Sequence, residues 1–464
     1  MSAFNYFVMK LLHIHPKVIR NGVEIWFQNQ PYAIAYPDSV WRATPKETQI
    51  ALKDNLAFAT TMHLPLVFDS LGAVYHSGPP LLEPYFIQNF LKDIPSCAEV
   101  DGTNTDEMIR KFFNTDYQFL DSVIAFPSQE PVDSPFRALV GLSFGKDSLL
   151  TYAIADEIDL KPEMFYAVEQ SMTYEKKHKT ELARRFKNEY GKELNILEHE
   201  TGKLRDYPYL GFPVTELGWG LQTTEYALEL IPFAYAQKAK YLLFGNEQTA
   251  AATYMDGNGR WMVHPCYDQS HHWTLHIDQI TQTFSGRSVH TGSLIEPLMD
   301  MMVQYILAHR YPELAKYQMS CFTETEAGRD YHWCHNCSIC AKMYLMCVGS
   351  GINPEAIGLR ENMLERKYKR FFTLFGGKSI TLTYAHTKLG RDEQLFAFYL
   401  AAIRGAHGGL IEEFKAAPLY QEAKAREDEL WKTFCSIHDS ISVPLELKNQ
   451  VLSIYKEELA SFQI

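Results

Sequence analysis

The chain has few cysteines for its size, no long apolar run and no surplus of positive charge, and each shortage removes a class of protein. Eight cysteines in 464 residues are too few for a disulfide scaffold and ordinary for a reducing compartment. Residues 1–20 are broken up by Lys10, His13, His15 and Lys17, so no apolar leader core forms. The best apolar stretch, 294–307, contains Glu296 and Asp300 and falls short of a membrane span. With 44 basic against 56 acidic residues and a net charge of −12, the global field opposes a long nucleic-acid surface. There is no internal repeat and no low-complexity tract. A soluble, cytoplasmic protein is expected, and 46% hydrophobic residues are enough for two or three cored units.

Two local features stand against this even background. Basic residues gather at Lys176, Lys177, Lys179, Arg184, Arg185 and Lys187, and again at Arg360, Arg366, Lys367, Lys369 and Arg370. Both groups fall in helical patterns and read first as solvated faces; they are what keeps a nucleic-acid partner in view. Half of the cysteines crowd together at Cys321, Cys334, Cys337 and Cys340.

The stretch Ser143-Phe144-Gly145-Lys146-Asp147-Ser148 carries the most chemistry. It follows the apolar run 138–142 and leads into a helical pattern from 147. A buried strand, a tight polar loop and a helix start make an anion site, because the first helical N–H groups are unpaired and the dipole end is positive. Gly145 lets the backbone approach an oxygen closely. Lys146 adds a point charge, and Asp147 and Ser148 place a carboxylate and a hydroxyl where phosphate binds and Mg²⁺ is organised. The loop is too short for a Walker A motif.

Around it the pattern alternates. Strands at 138–142, 164–168, 194–197 and 241–244 are separated by helices at 147–158, 174–190 and 223–238, which predicts an α/β fold with a doubly wound parallel sheet. Ligands bind such sheets beyond the carboxyl ends of the strands. The loop after 142, Glu169-Gln170-Ser171 and Gly245-Asn246-Glu247 should therefore converge. Residues 1–132 read as an α+β region, with strands at 10–14, 23–27 and 32–35, an Asn21-Gly22 turn, and helices at 45–61 and 105–125. A linker at 129–135 sets the first boundary. The nucleotide-type unit spans 133–350 and includes a helix at 294–309. Residues 351–464 read as mostly helical.

Cys334-x-x-Cys337-x-x-Cys340 with Cys321 upstream supplies four soft ligands, the number a tetrahedral structural Zn²⁺ needs. An iron–sulfur cluster and a redox pair are the alternatives, and His332 and His335 flank the run as substitutes for Cys321. Residues 250–290, rich in aromatics, Gly and His, read as a substrate-facing excursion. His264, His271, His272 and His276 lack an acidic partner pattern for a catalytic metal. They read first as hydrogen-bonding or surface histidines, then as contacts to substrate or phosphate.

The loop 143–148 resembles the S-G-G-x-D-S loop of the PP-loop ATP pyrophosphatases, which split ATP between the α and β phosphates, with Phe144 where that family has Gly. Together with the cysteine element, the chain is similar to the QueC branch, the 7-cyano-7-deazaguanine synthases. A closer likeness is the MurL family, the ATP-dependent UDP-N-acetylmuramoyl-L-alanyl-L-glutamate epimerases, with a G-G-G-K-D-S loop, an S-N-E-R-S-A segment and a W-C-x-x-C-x-x-C element. The matching positions are 143–148, 245–250 and 333–340, within a likeness spanning about 137–405; Gln248 replaces the Arg.

The resemblance implies a HUP-like Rossmann fold binding ATP through Ser143, Phe144, Gly145, Lys146, Asp147, Ser148 and Asn246. It implies Mg²⁺ placed by Asp147, and Lys146, Asp147 and Glu247 at the reaction centre. A small-molecule carboxylate, such as a UDP-linked muramyl dipeptide, would meet His264, His272 and Gln248. Adenylation of that carboxylate would precede epimerisation or, in a synthase, attack by ammonia. A tRNA-modifying enzyme of the same superfamily is a further reading.

Overall fold

A computed structural model describes residues 11–132, 136–169, 172–322 and 326–463. Lys10 of the first expected strand, residues 133–135 of the expected linker, and Gln170 and Ser171 lie outside the described residues.

β1 (Leu12–Ile19), β2 (Gly22–Phe27) and β3 (Gln30–Ala35) form an antiparallel meander. Alternation sets its register: Ile14, Val23, Ile25 and Ile34 are all buried. β1 runs well past residue 14, and its turn is Arg20-Asn21 rather than Asn21-Gly22. The second turn, Gln28-Asn29, has φ of 49° and 63°, the left-handed pair that a two-residue hairpin turn favours. β4 (Gly72–Tyr75) pairs parallel with β1, and β5 (Asp116–Phe119) parallel with β4. β5 corrects the helix expected over 105–125. That helix ends at Phe113, and Tyr117 and Phe119 instead put their rings 5.3 and 5.9 Å from Phe58. Tertiary packing here overrides a local helical pattern.

β6 (Ala138–Gly141), β7 (Glu163–Val168), β8 (Leu194–His199) and β9 (Tyr241–Leu243) follow. A small hairpin of β10 (Tyr254–Met255) and β11 (Met262–Val263) precedes β12 (His290–Gly292). The main sheet has ten strands in the order β12-β9-β6-β7-β8-β3-β2-β1-β4-β5. β8, β7, β6, β9 and β12 are mutually parallel, so strand order reverses between β6 and β9. That is a topological switch point, where ligands bind open α/β sheets.

Strand parity divides the interior in two. Val140, Leu142 and Leu243 enter one core, while Leu139, Leu242 and Phe244 enter the other. The first core lies under helices Lys146–Glu157, Thr173–Tyr190 and Lys388–Ile403, the second under Lys46–Thr61, Glu83–Asp101, Gln222–Gln237 and His271–Phe284. Helices on both faces make this part of the sheet doubly wound, as expected.

The boundary placed at 132 falls inside this architecture. β3 joins β8 antiparallel through Ile34↔His199 and Ala35↔Glu198, and Leu139, Phe165 and Leu197 share a core with Ile14, Val23 and Phe58. Beyond 351 the chain is mostly helical, and its apolar faces close the first core. The helix expected at 294–309 starts only at Asp300. No helix among the described residues is long and apolar enough to cross a membrane.

The basic clusters are largely paired with carboxylates: Arg184 with Glu181, Lys187 with Glu193, Lys367 with Glu361 and Lys369 with Glu413. The second cluster is not on an α-helix; only Arg366–Phe371 forms a 3-10 turn.

Candidate functional site

The loop after β6 closes on itself. The Ser143 N–H donates to Ser148 Oγ at 3.2 Å, and Ser148 Oγ donates to the Gly145 carbonyl at 3.0 Å. Gly145 is the N-cap of helix Lys146–Glu157, so the positive end of that helix meets the loop. Gly245, just beyond β9, packs on the same turn. A Cβ there would stand 2.7 Å from the Asp147 carbonyl carbon and 2.9 Å from Ser148 N, so only glycine lets the two loops touch.

Phe144 takes φ of 60°, the left-handed angle a glycine would adopt freely. Its ring is fully buried, edge-on to Phe186 at 6.0 Å, and its carbonyl accepts from Met319 N at 2.7 Å. The backbone cost of about 1–2 kcal/mol is smaller than the roughly 2–3 kcal/mol from burying a phenyl ring, so the conformation holds. Phe144→Gly and Phe144→Ala should both lower stability, but the glycine variant should be the more stable of the two by about 1 kcal/mol. Urea midpoints of the pair would show the reverse, alanine above glycine, if the left-handed angle were unimportant.

Behind the loop lies a charge cluster that the sequence pattern conceals. The Lys146 ammonium contacts Asp147 Oδ1 at 2.5 Å and also Asp300, which in turn holds Lys342. Lys342 lies 3.3 Å from Glu393. Asp300 opens helix Asp300–Arg310, and Lys342 sits in helix Ser338–Gly349. Burial opposes ionisation of Asp300, but Lys146 and Lys342 outweigh it and hold its carboxyl well below the ordinary range. Burial, reinforced by the Asp300 charge, pushes Glu247 up to about 8. Glu393 is pushed up to about 7, again chiefly by burial. The site therefore holds carboxyls that exchange protons near neutrality beside one that stays ionised.

A cavity of about 660 Å³ opens at the switch point, lined in part by Ser143, Asp147, Ser148, Glu169, Gly245 and Asn246. Such a volume suits a nucleotide-sized molecule. The three loops expected to converge meet there through Ser143, Glu169, Gly245 and Asn246, whereas Glu247 is outside the lining. Ion pairs hold the far wall: Arg205 Nη1 donates to both carboxylate oxygens of Glu225 at 2.6 and 2.5 Å, and Nη2 donates to Glu169 at 3.1 Å. Glu169 also accepts from Tyr226 at 2.6 Å and Gln222 at 2.7 Å. Burial works against the Glu169 charge, yet Arg205 and His199 bring its carboxyl down to about 2. Carboxylates dominate the lining, with Asp93, Glu169, Glu216 and Asp268 set against Arg205 and Lys179.

The remaining expected residues are more scattered. Asn246 is buried and donates to Thr274 Oγ1 at 2.9 Å. Glu247 caps the turn Gln248–Ala251 by accepting from Thr249. Of the expected residues, Ser143, Asp147, Ser148 and Asn246 line the cavity, and Phe144, Gly145, Lys146, Glu247, Gln248, His264 and His272 do not. The expected 250–290 excursion is only partly one: Pro265 and Cys266 line the cavity, but helix His271–Phe284 buries Trp273, Ile277, Ile280 and Phe284 as a crossover between β9 and β12.

The four cysteines converge. Their sulfurs all lie within 4.8 Å of one another, and two pairs, Cys321 with Cys337 and Cys334 with Cys340, stand 3.7 Å apart. A tetrahedron of bonds about 2.3 Å long has edges of about 3.8 Å, so the cluster fits a metal such as zinc. Asn336 N–H and Cys340 N–H donate to Cys334 Sγ and Cys337 Sγ at 3.3 and 3.4 Å, as thiolate ligands require. His335 instead accepts from Arg360 N at 3.0 Å.

Comparison of the chain with family models, curated proteins and solved structures finds no match. Function has to be read from the site itself. Asp300, Lys342, Glu393 and Arg205 are the residues that sequence reasoning missed. The only local signal was a charged residue inside an otherwise apolar run, as at Asp300.

Proposed function

We propose that this chain is a PP-loop-type enzyme that transfers AMP from ATP to a substrate carboxylate. The observation that carries this reading is the loop 143–148 at the switch point, capping a helix and opening on a nucleotide-sized cavity. In the reaction a carboxylate oxygen attacks the α-phosphorus. The bond to the bridging oxygen of the β-phosphate breaks, pyrophosphate leaves with that electron pair, and a mixed anhydride remains. Ser143, Gly145 and Ser148 would hold the departing phosphates, and Lys146 would offset their charge. A bound Mg²⁺ would neutralise phosphate charge, and Asp147, which belongs to the cavity lining, would hold it. The four-cysteine site would be structural and would hold Zn²⁺.

For the carboxylate, the resemblance in 245–250 and 333–340 favours a muramyl dipeptide ending in L-Glu, whose activated α-carbon would lose and regain its proton before water cleaves the anhydride and releases AMP. Glu247, like His264 and His272, is outside the cavity lining; it is the base of choice because its proton affinity lies near neutrality and it directly follows Gly245 and Asn246 of the wall. A deazaguanine carboxylate is the second reading, and the acidic lining supports it: a purine-like edge offers N–H donors that Glu169, Asp93 or Asp268 would accept.

The test is pyrophosphate release from ATP and Mg²⁺ with each carboxylate in turn. In D₂O, deuterium at the α-carbon marks the epimerase; consumption of ammonia marks the synthase. Lys146→Ala should cut release at least 100-fold. If neither carboxylate stimulates release, or Lys146→Ala leaves it intact, the adenylation reading fails.

A further inference from the structure

Three histidines gather on the N-terminal part of the sheet, outside the cavity lining. β1 buries Ile14 and Pro16 and turns its alternate residues, His13 and His15, to the opposite face. β4, parallel to β1 in the register His13↔Val74 and Ile14↔Tyr75, continues one residue to His76, whose N–H donates to the Ile14 carbonyl at 2.9 Å. That bond carries the ladder past the end of β4 and fixes the third imidazole beside the first two.

The rings are in close contact. His13 Nδ1 lies 3.1 Å from His76 Nε2, and the His15 and His76 rings stack with centroids 3.6 Å apart. One nitrogen from each of the three lies within 4.8 Å of the other two. Bonds of 2.0–2.1 Å to a tetrahedral ion place ligand nitrogens about 3.4 Å apart, so one edge is already at the required length and small side-chain rotations close the others. Two strands hold the three imidazoles together.

We propose that His13, His15 and His76 form a transition-metal site separate from the four cysteines. Three imidazoles without thiolate or carboxylate suit borderline divalent ions, Zn²⁺, Co²⁺, Ni²⁺ or Cu²⁺. His13 and His76 are exposed, and a cleft of about 450 Å³ bordered by His76, Ser77, Asp54 and Asp121 adjoins them. The fourth coordination position is therefore open to water or an added ligand, as in sites that exchange ligands rather than purely structural ones. The ion also ties β1 to β4.

The full-length protein, dialysed against micromolar Zn²⁺, should retain two equivalents by elemental analysis. His13→Ala/His76→Ala should retain one and melt within a degree or two of the parent. Cys337→Ser should lose the other equivalent and keep the histidine-bound one. With the cysteines loaded with zinc, one equivalent of Cu²⁺ should give an electron paramagnetic resonance spectrum with nitrogen superhyperfine splitting, absent from the double histidine variant. Equal zinc content and equal copper spectra in parent and histidine variant would overturn the proposal.

Discussion

Replacing Asp300 with alanine should destabilise the protein by about 3–5 kcal/mol and abolish pyrophosphate release. Asp300 is 4% exposed and bridges two ammonium groups. Without it Lys146 keeps Asp147 as its ion-pair contact, and Lys342 keeps Glu393 at 3.3 Å and the Tyr384 ring at 4.6 Å, leaving two buried cations under-compensated. Losing one partner of a buried pair is costly because the other stays desolvated. Asp300→Asn should fall between alanine and wild type, since the amide oxygen still accepts a hydrogen bond. The same change should lower the proton affinity of Glu247, because the Asp300 charge is one cause of its elevation. Urea midpoints of the three proteins provide the check. A loss below about 1 kcal/mol for the alanine variant would mean that the two lysines are already solvated.

Stripping metal from the four-cysteine site should have the second-largest effect. A ligand present at a thousand times its dissociation constant stabilises the folded state by about 4 kcal/mol, so chelation or Cys337→Ser should lower Tm by roughly 4 °C in a chain of 464 residues. The damage should also reach the cavity. Cys337 caps helix Ser338–Gly349, which presents Lys342 to Asp300 one turn later, and Ser338 bonds to Thr381 in the cavity wall at 3.0 Å. Limited proteolysis should cut near 321–340 in the stripped protein and spare the metal-loaded one. Identical melting and cleavage before and after complete zinc removal would refute a structural role.

What the sequence made legible was local. Residues 138–148 declare a strand, a loop and a helix in continuous order, and the x-x-Cys spacing puts three sulfurs on one turn, so both could be recognised without knowing the fold. The Asp300–Lys146 and Arg205–Glu169 pairs could not, because their partners come from different crossovers and meet only once strand order is set. β12 was invisible for a different reason: His290–Gly292 is too short for alternation to register. The histidines near 271 misled because their helix also carries Trp273 and Ile277, and burial of those two decided its orientation. The 105–125 segment misled because its apolar spacing suits a helix, whereas the rings around Phe58 favour a strand.

The joint between β3 and β8 is only two residue pairs wide, yet it seals the flank of the parallel strands. A shortened chain beginning at 136 would free the β8 edge at Glu198 and His199 and remove the part of the cover over Leu139, Phe165 and Leu197 that Ile14, Val23 and Phe58 supply. Such a fragment would recruit another strand or aggregate. The first 132 residues thus cover an edge that would otherwise be open to pairing with another strand.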